Sequence, residues 1–513
     1  DLNVPSRYAP YLLQGGLGLP ERTYYLDPSP AMAEVRSKYL AYVVSLLKLA
    51  HLPDAAAKAA RIVALETKLA RSHVSREDSE DVLKGNNPWK QAEFVTKAPG
   101  LDWGGFFTAA GLDKQPVVFV WQPAGIIGLA ALAASEPLAT WKEYLTFHAI
   151  NSRAGLLPKA FVQAQFAFYG RLLAGTPELG PRWDRAVAAT NAALGDAVGQ
   201  LYVTRYFPPE AKAAVQKMAR SIILAFGRRI EGLDWMAPAT KAKAKEKLST
   251  LYVGVGYPEH WVDYAGLQVV RGEALANAER AELFEYRRRL AQLSGPVDLT
   301  EWWMTPQTVN AVNMPLQNAL NFPAAILQAP YFDLGASPPV NYGSIGATIG
   351  HEISHSFDDQ GSQFDAHGKL SDWWTKEDMA HFKAAGVQLA TQFDGYRPFP
   401  DLSVNGKQTL SENIADLAGL AAAHDAWLLS LEGKPAPAVD GFTGEQAFFL
   451  SYAQSWRTKE REAALRQQLI TDGHAPAEYR VETVRNLDAW YQAYDVKPGQ
   501  TLYLAPTARV RLW

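Results

Sequence analysis

From Ala31 to about Ser75, apolar residues recur at helical spacing, as in 40-LAYVVSLLKLA-50 and 56-AAKAARIVALETKLARS-72. Residues three and four apart share one helix face, so this spacing predicts amphipathic helices. A β-like run follows at 116-PVVFVWQP-123. Residues 135–250 return to helical spacing in 138-LATWKEYLTFHAI-150, 160-AFVQAQFAFYGRLL-173, 182-RWDRAVAATNAALGDAVGQLYVTRYF-207 and 213-AAVQKMARSIILAFGRRIEGL-233. With so many amphipathic helices to pack, their aromatic stripes read as core. Pro238 and Thr240 introduce a Lys-rich helix, 240-TKAKAKEKL-248. After about Gly295 the texture changes to short β-like runs with Gly, Pro and Asn turns, 307-QTVNAVNMP-315 and 321-NFPAAIL-327. No repeat of fixed period is visible. Residues 1–30 read as loop and turn, and Gly15, Gly16 and Gly18 lack the flanking strand and helix of a phosphate cradle.

Chemistry concentrates in two predicted helices. The first is 343-GSIGATIGHEISHSFDD-359, where small apolar residues lead into His351, Glu352 and His355. Four residues apart, the two imidazoles lie one turn above each other and can reach one Zn²⁺. Glu352 projects beside them, placed to take a proton from water. The second is 408-QTLSENIADLAGLAAAHDAWLL-429, in which Glu412 and Asp416 share a face. One of this pair can bind metal while the other buttresses a ligand. Asp416 and Asp358 both suit the role of accepting the second ring N–H of a ligating histidine. His474 stands in a loop, where a lone His is usually a surface residue but can also donate an N–H to an oxyanion. Arg480 can pair with a carboxylate of a substrate or of the site.

Composition narrows the chemistry further. None of the 513 residues is Cys, which excludes disulfides, thiolate metal sites and cysteine nucleophiles, so any metal is held by His and carboxylate. A formal net charge of -3 gives no reason to expect a nucleic-acid or anionic-membrane partner. The basic runs 241-KAKAKEK-247 and 284-FEYRRRL-290 read as exposed helix faces. The longest strongly apolar run, 124-AGIIGLAALAA-134, is far short of a bilayer span.

With these residues in view, the chain resembles the neprilysin-like zinc endopeptidases, a family that includes endothelin-converting enzymes and bacterial oligoendopeptidases. The resemblance runs in order through Leu19-Pro20 to Tyr24-Tyr25, 201-LYVTRYF-207, 231-EGLDWM-236, 309-VNAVNMPLQN-318 and 322-FPAAILQAPYFD-333. It continues through residues 341–374 around the HExxH motif, 411-SENIADLAGL-420, 448-FFLSYAQSWR-457, 474-HAPAEYR-480 and Trp513. It implies a mainly α fold with a small β component: a two-lobed gluzincin whose thermolysin-like catalytic lobe and helical cap lobe enclose a central chamber. The expected division assigns residues 1–54 and 121–275 to the cap, and residues 55–120 and 276–513 to the catalytic lobe.

The same resemblance implies that His351, His355 and Glu412 bind one zinc ion per chain. Glu352 would be the general base, and Asp358 and Asp416 would orient the two histidines, Asp416 counting with Glu352 and His474 among the catalytic groups. Asn310 and Ala311 would hold the substrate backbone like an added strand. His474 would steady the oxyanion and Arg480 would bond a substrate carbonyl. Ile326, Tyr331, Ala347, Thr348 and Trp456 would line the pocket for the side chain after the cut bond. The chain departs from the family in having Val312-Asn313 after the Asn–Ala pair, small or polar Ala347 and Thr348, and no Cys near its final Trp. The family's aromatic-rich N-terminal segment is also absent from the sequence, so the chain is expected either to have been cut or renumbered or to be completed by a further fragment of the same protein.

The expected activity is zinc-dependent cleavage of oligopeptides and small polypeptides on the amino side of hydrophobic residues. A peptidyl-dipeptidase-type exopeptidase and a non-catalytic, zinc-stabilised peptide-binding protein are the alternatives. Family habit places such a protein in the bacterial periplasm or cell envelope, or secreted, with the cytoplasm left open. Oligomeric state is not legible.

Overall fold

The computed structural model describes all 513 residues. Helices dominate, and the strands make only two small three-stranded sheets. The helices predicted from spacing are present as Pro30–Leu49, Ala55–Ser72, Leu138–Arg153, Arg182–Tyr206, Pro209–Gly232 and Pro238–Ser249. The run near 160–173 begins as Lys159–Gln165 and widens into π-type turns over Phe166–Leu173. No helix is long and apolar enough to cross a membrane.

The apolar faces build two principal cores. One gathers Tyr39, Val43 and Leu46 of Pro30–Leu49, Ile62, Leu65 and Leu69 of Ala55–Ser72, and the aromatic residues Phe147 and Phe168. The other runs from Val203 to Trp513 and includes Val215, Ile222 and Phe226 of helix Pro209–Gly232. Ala55–Ser72 joins the first helical core because its stripe at 62, 65 and 69 faces the preceding helix. Pro209–Gly232 joins the second because its buried stripe lies against Leu410–Ser430. Helix Arg182–Tyr206, broken at Leu194, leads from one core to the other.

The Lys-rich helix also departs from its reading as an exposed face. Lys243 and Lys245 are exposed, but Lys247 is 1% exposed, buried with Thr240, Ala244 and Leu248. These four positions form one stripe at helical spacing, and the lysine falls within it.

The second sheet positions the chemistry. Tyr252–Gly256 pairs parallel with Ala319–Pro323, and Val312–Met314 pairs antiparallel on the other side, Val312 opposite Asn321. Of the run read as β-like at 307–315, only Val312–Met314 pairs; of that at 321–327, the strand ends at Pro323 and the chain turns. Val312–Met314 is thus an edge strand, and Asn313 Nδ2 ties it to the HExxH helix by donating to Glu352 O and Ser356 Oγ, both at 2.8 Å.

Candidate active site

The HExxH helix, Ala347–His355, continues a π-type turn at Tyr342–Gly346. Ile345, Ile349, Ile353 and Phe357 recur every fourth residue and are fully buried in the large core. That burial fixes the rotation of the helix and presents His351, Glu352 and His355 to the other side. Helix Leu410–Ser430 packs against it with no side chain between them: a Cβ on Gly350 would lie 2.3 Å from Gly419 O, and one on Gly419 would lie 2.2 Å from His351 N. Only hydrogen fits at this crossing. It brings Glu412 and Asp416 within reach of the histidines.

Each imidazole has a carboxylate on its Nδ1. His351 Nδ1 lies 2.8 Å from Asp416 Oδ1, and His355 Nδ1 lies 2.7 Å from Asp358 Oδ2. These partners hold a ring hydrogen on each Nδ1 and turn both Nε2 atoms toward the same point, where they can serve a metal once deprotonated. The two Nε2 atoms face each other at 2.9 Å, a contact that either a proton shared between the rings or a metal cation beside them satisfies. Glu412 closes the group, its oxygens 3.2 Å from His351 Nε2 and 3.5 Å from His355 Nε2. The three donor atoms all lie within 4.8 Å of one another. Two neutral nitrogens and one anionic oxygen, each pair buttressed from behind, are a donor set that suits zinc with one position left open.

The electrostatics agree. Burial would lower the His355 pKa, yet Glu412 and Asp358 outweigh it and push it up to about 10 in the metal-free protein. His351 is likewise raised against its burial, by Asp416 and Glu412. Burial works against the Glu412 charge, but His355 and His351 hold its carboxyl well below the usual range. Glu352 is shifted the other way: burial raises it, which suits a carboxylate that must accept and release a proton.

A cavity of about 510 Å³ contains this group. Every residue singled out from the sequence lines it: His351, Glu352, His355, Asp358, Glu412, Asp416, His474, Arg480, Asn310, Ala311, Ile326, Tyr331, Ala347, Thr348 and Trp456. His474 is 48% exposed, with Nε2 3.2 Å from Glu412 Oε2. Burial of its ring is outweighed by Asp472 and Glu412, which raise its pKa to about 9. Arg480 donates from Nε and Nη2 to Asp416, both at 2.7 Å, and lies over the Trp456 ring at 4.1 Å.

Three contributors are missing from the sequence reading. Asp472 holds His474 Nδ1 at 2.6 Å, and nothing in a loop's spacing marks such a carboxylate. Asn313 anchors the edge strand, although its place beside the Asn–Ala pair was a signal. Ser411, beside Glu412 in its helix, donates to Asp359 Oδ1 at 2.7 Å and ties that helix to the turn after the HExxH helix.

Two models of peptidase family M13 match the chain, one over residues 1–258 and one over residues 310–510. The neutral endopeptidase of Lactobacillus helveticus is 34% identical over 501 residues, covering 96% of this chain and 75% of that protein. The zinc metalloprotease Zmp1 of Mycobacterium tuberculosis, in complex with an inhibitor, superposes with a TM-score of 0.97 at 42% identity, covering all of this chain and 79% of that one. Zmp1 in its open state gives a TM-score of 0.70 at the same identity, covering 99% and 80%. With family models matching both the part that holds the edge-strand side of the cleft and the part that supports it, the chain belongs to peptidase family M13 and is a zinc metalloendopeptidase.

Proposed function

We propose that the protein cuts internal bonds of oligopeptides and small polypeptides laid as an extended strand beside Asn310 and Ala311, at one zinc ion held by His351, His355 and Glu412. The observation that carries this reading is the facing pair of Nε2 atoms at 2.9 Å, with Glu352 and an edge strand in the same cavity. When bound, zinc supplies Lewis acidity toward a carbonyl oxygen and toward water. Glu352 takes the proton from the attacking water and delivers it to the leaving amine. His474, held by Asp472, donates Nε2–H to the oxygen on which negative charge develops. Arg480 contributes its remaining N–H capacity to the substrate carbonyl while its two short bonds stay on Asp416. That commitment argues against Arg480 as a receptor for a free terminal carboxylate, and so favours internal cleavage.

Ile326, Tyr331, Ala347, Thr348 and Trp456 form the pocket for the residue after the cut bond, and their largely apolar character favours a hydrophobic side chain there. A helical lobe around the core of Pro30–Leu49 and Ala55–Ser72 and a catalytic lobe around the core of Ala347–His355 and Leu410–Ser430 enclose the chamber.

The test is mass-spectrometric mapping of cuts in a length series of unblocked peptides, with and without a chelator. Chelator-sensitive internal cuts before hydrophobic residues, ceasing above a length limit, are expected. Cuts without side-chain bias would overturn the specificity, and release of only C-terminal dipeptides would replace the endopeptidase reading with the exopeptidase one.

A further inference from the structure

Outside the cavity lining, Lys247 is a buried lysine, 1% exposed, beneath the turn that carries Asp358. Its Nζ donates at 2.7 Å to two backbone carbonyls, Gly361 O and Phe364 O, and lies 5.6 Å from the Phe357 ring centroid. Those carbonyls belong to the turn that follows the HExxH helix. The turn folds back closely, since a Cβ on Gly361 would lie 1.7 Å from His355 O. Gly361 N–H in turn donates to Asp358 Oδ1 at 2.6 Å, and Gln360 N–H donates to the same oxygen at 2.8 Å. The other oxygen of Asp358 holds His355 Nδ1 at 2.7 Å.

We propose that Lys247 is a positioning residue for the metal site, gripping the turn at Gly361–Phe364 so that Asp358 stays aligned on His355. The inference rests on the reading that zinc sits on His351, His355 and Glu412. A charged amine is a costly way to satisfy two carbonyls at a position 1% exposed. Burial holds its pKa down to about 7, although Asp358 and Asp365 pull the other way. An ammonium placed there acts on the turn through hydrogen bonds and on Asp358 through charge. Shell residues behind a metal ligand typically change metal affinity by about 10–100-fold, and Lys247 stands one step further out.

The experiment measures zinc dissociation constants of the full chain by competition with a chromophoric chelator. Lys247→Met, of similar length, should bind zinc about tenfold more weakly while circular dichroism stays unchanged. Asp358→Asn should weaken binding at least as much, and the double variant should bind no more weakly than Asp358→Asn alone. Should Lys247→Met not fold, Lys247→Gln, which keeps one donor, carries the same comparison. Unchanged affinity in a folded Lys247 variant, or losses that multiply in the double variant, would overturn the proposal. Parent protein that binds no zinc would instead overturn the metal reading on which it stands.

Discussion

Arg480 meets Asp416 side-on, Nε and Nη2 each donating at 2.7 Å to a different carboxylate oxygen, while Oδ1 also faces His351 Nδ1 at 2.8 Å. One carboxylate thereby sets the relation between a guanidinium and a metal-facing imidazole. Asp416→Asn keeps the shape and removes the charge, leaving the buried guanidinium only the longer contact to Glu412 Oε2 at 3.4 Å, where losing a buried partner costs up to about 3–5 kcal/mol. A lower melting temperature and zinc affinity weakened about 10–100-fold are expected. Thermal denaturation and chelator competition read the two effects separately; full zinc affinity would free His351 from dependence on Asp416.

Glu352→Gln should keep stoichiometric zinc, because Glu352 stands outside the cluster formed by His351, His355 and Glu412. Its peptide-cleavage rate should fall by at least about 10²-fold, the usual scale of a lost general base. Near-parental turnover with zinc present would remove the residue from proton transfer.

Glu412→Ala should lose the metal itself. Elemental analysis after dialysis is expected to show zinc near background, since two imidazoles alone leave the site short of its third protein ligand. A variant that retains one zinc per chain would strike Glu412 from the ligand set.

Asp359 gives a pH dependence that can be isolated. Burial, with the Asp358 charge beside it, raises its carboxyl from 3.8 to about 6, against the hydrogen bonds from Ser411 and Gln360. The native state therefore holds this proton more tightly than the unfolded state does. Its contribution to stability is fully present below pH 3.8 and is lost as pH rises through about 6. Asp359→Asn should raise the melting temperature of metal-free protein at neutral pH, with the gain shrinking toward about pH 4. A gain independent of pH would mean that the ionised carboxylate is not the destabilising species.

Much of the site was legible because helices write their geometry into sequence. His351 and His355 share a face by spacing alone, and the Glu412–Asp416 pair follows the same rule on a second helix. The apolar partners of the HExxH helix at 345, 349, 353 and 357 carry the same period. What spacing does not record is contact between distant segments. Asp472 reaches His474 through loop geometry, and Asp359, in the turn after one helix, meets Ser411 on another. Lys247 was hidden by its charged neighbours, although Thr240, Ala244 and Leu248 marked the buried stripe on which it lies. Which core Ala55–Ser72 and Pro209–Gly232 join was not legible for the same reason: an amphipathic stripe shows that a helix is buried, not which neighbour buries it.

The bare crossing of Gly350 and Gly419 makes the metal centre vulnerable at positions that have no chemistry of their own. A single methyl group at either one must wedge the two helices apart, and at Gly419 the wedge sits directly against His351 N. Glu412 and Asp416 would then retreat together from the imidazoles they serve. Variation among natural or laboratory sequences at these two positions would thus imitate the loss of a ligand, with every ligating residue still in place.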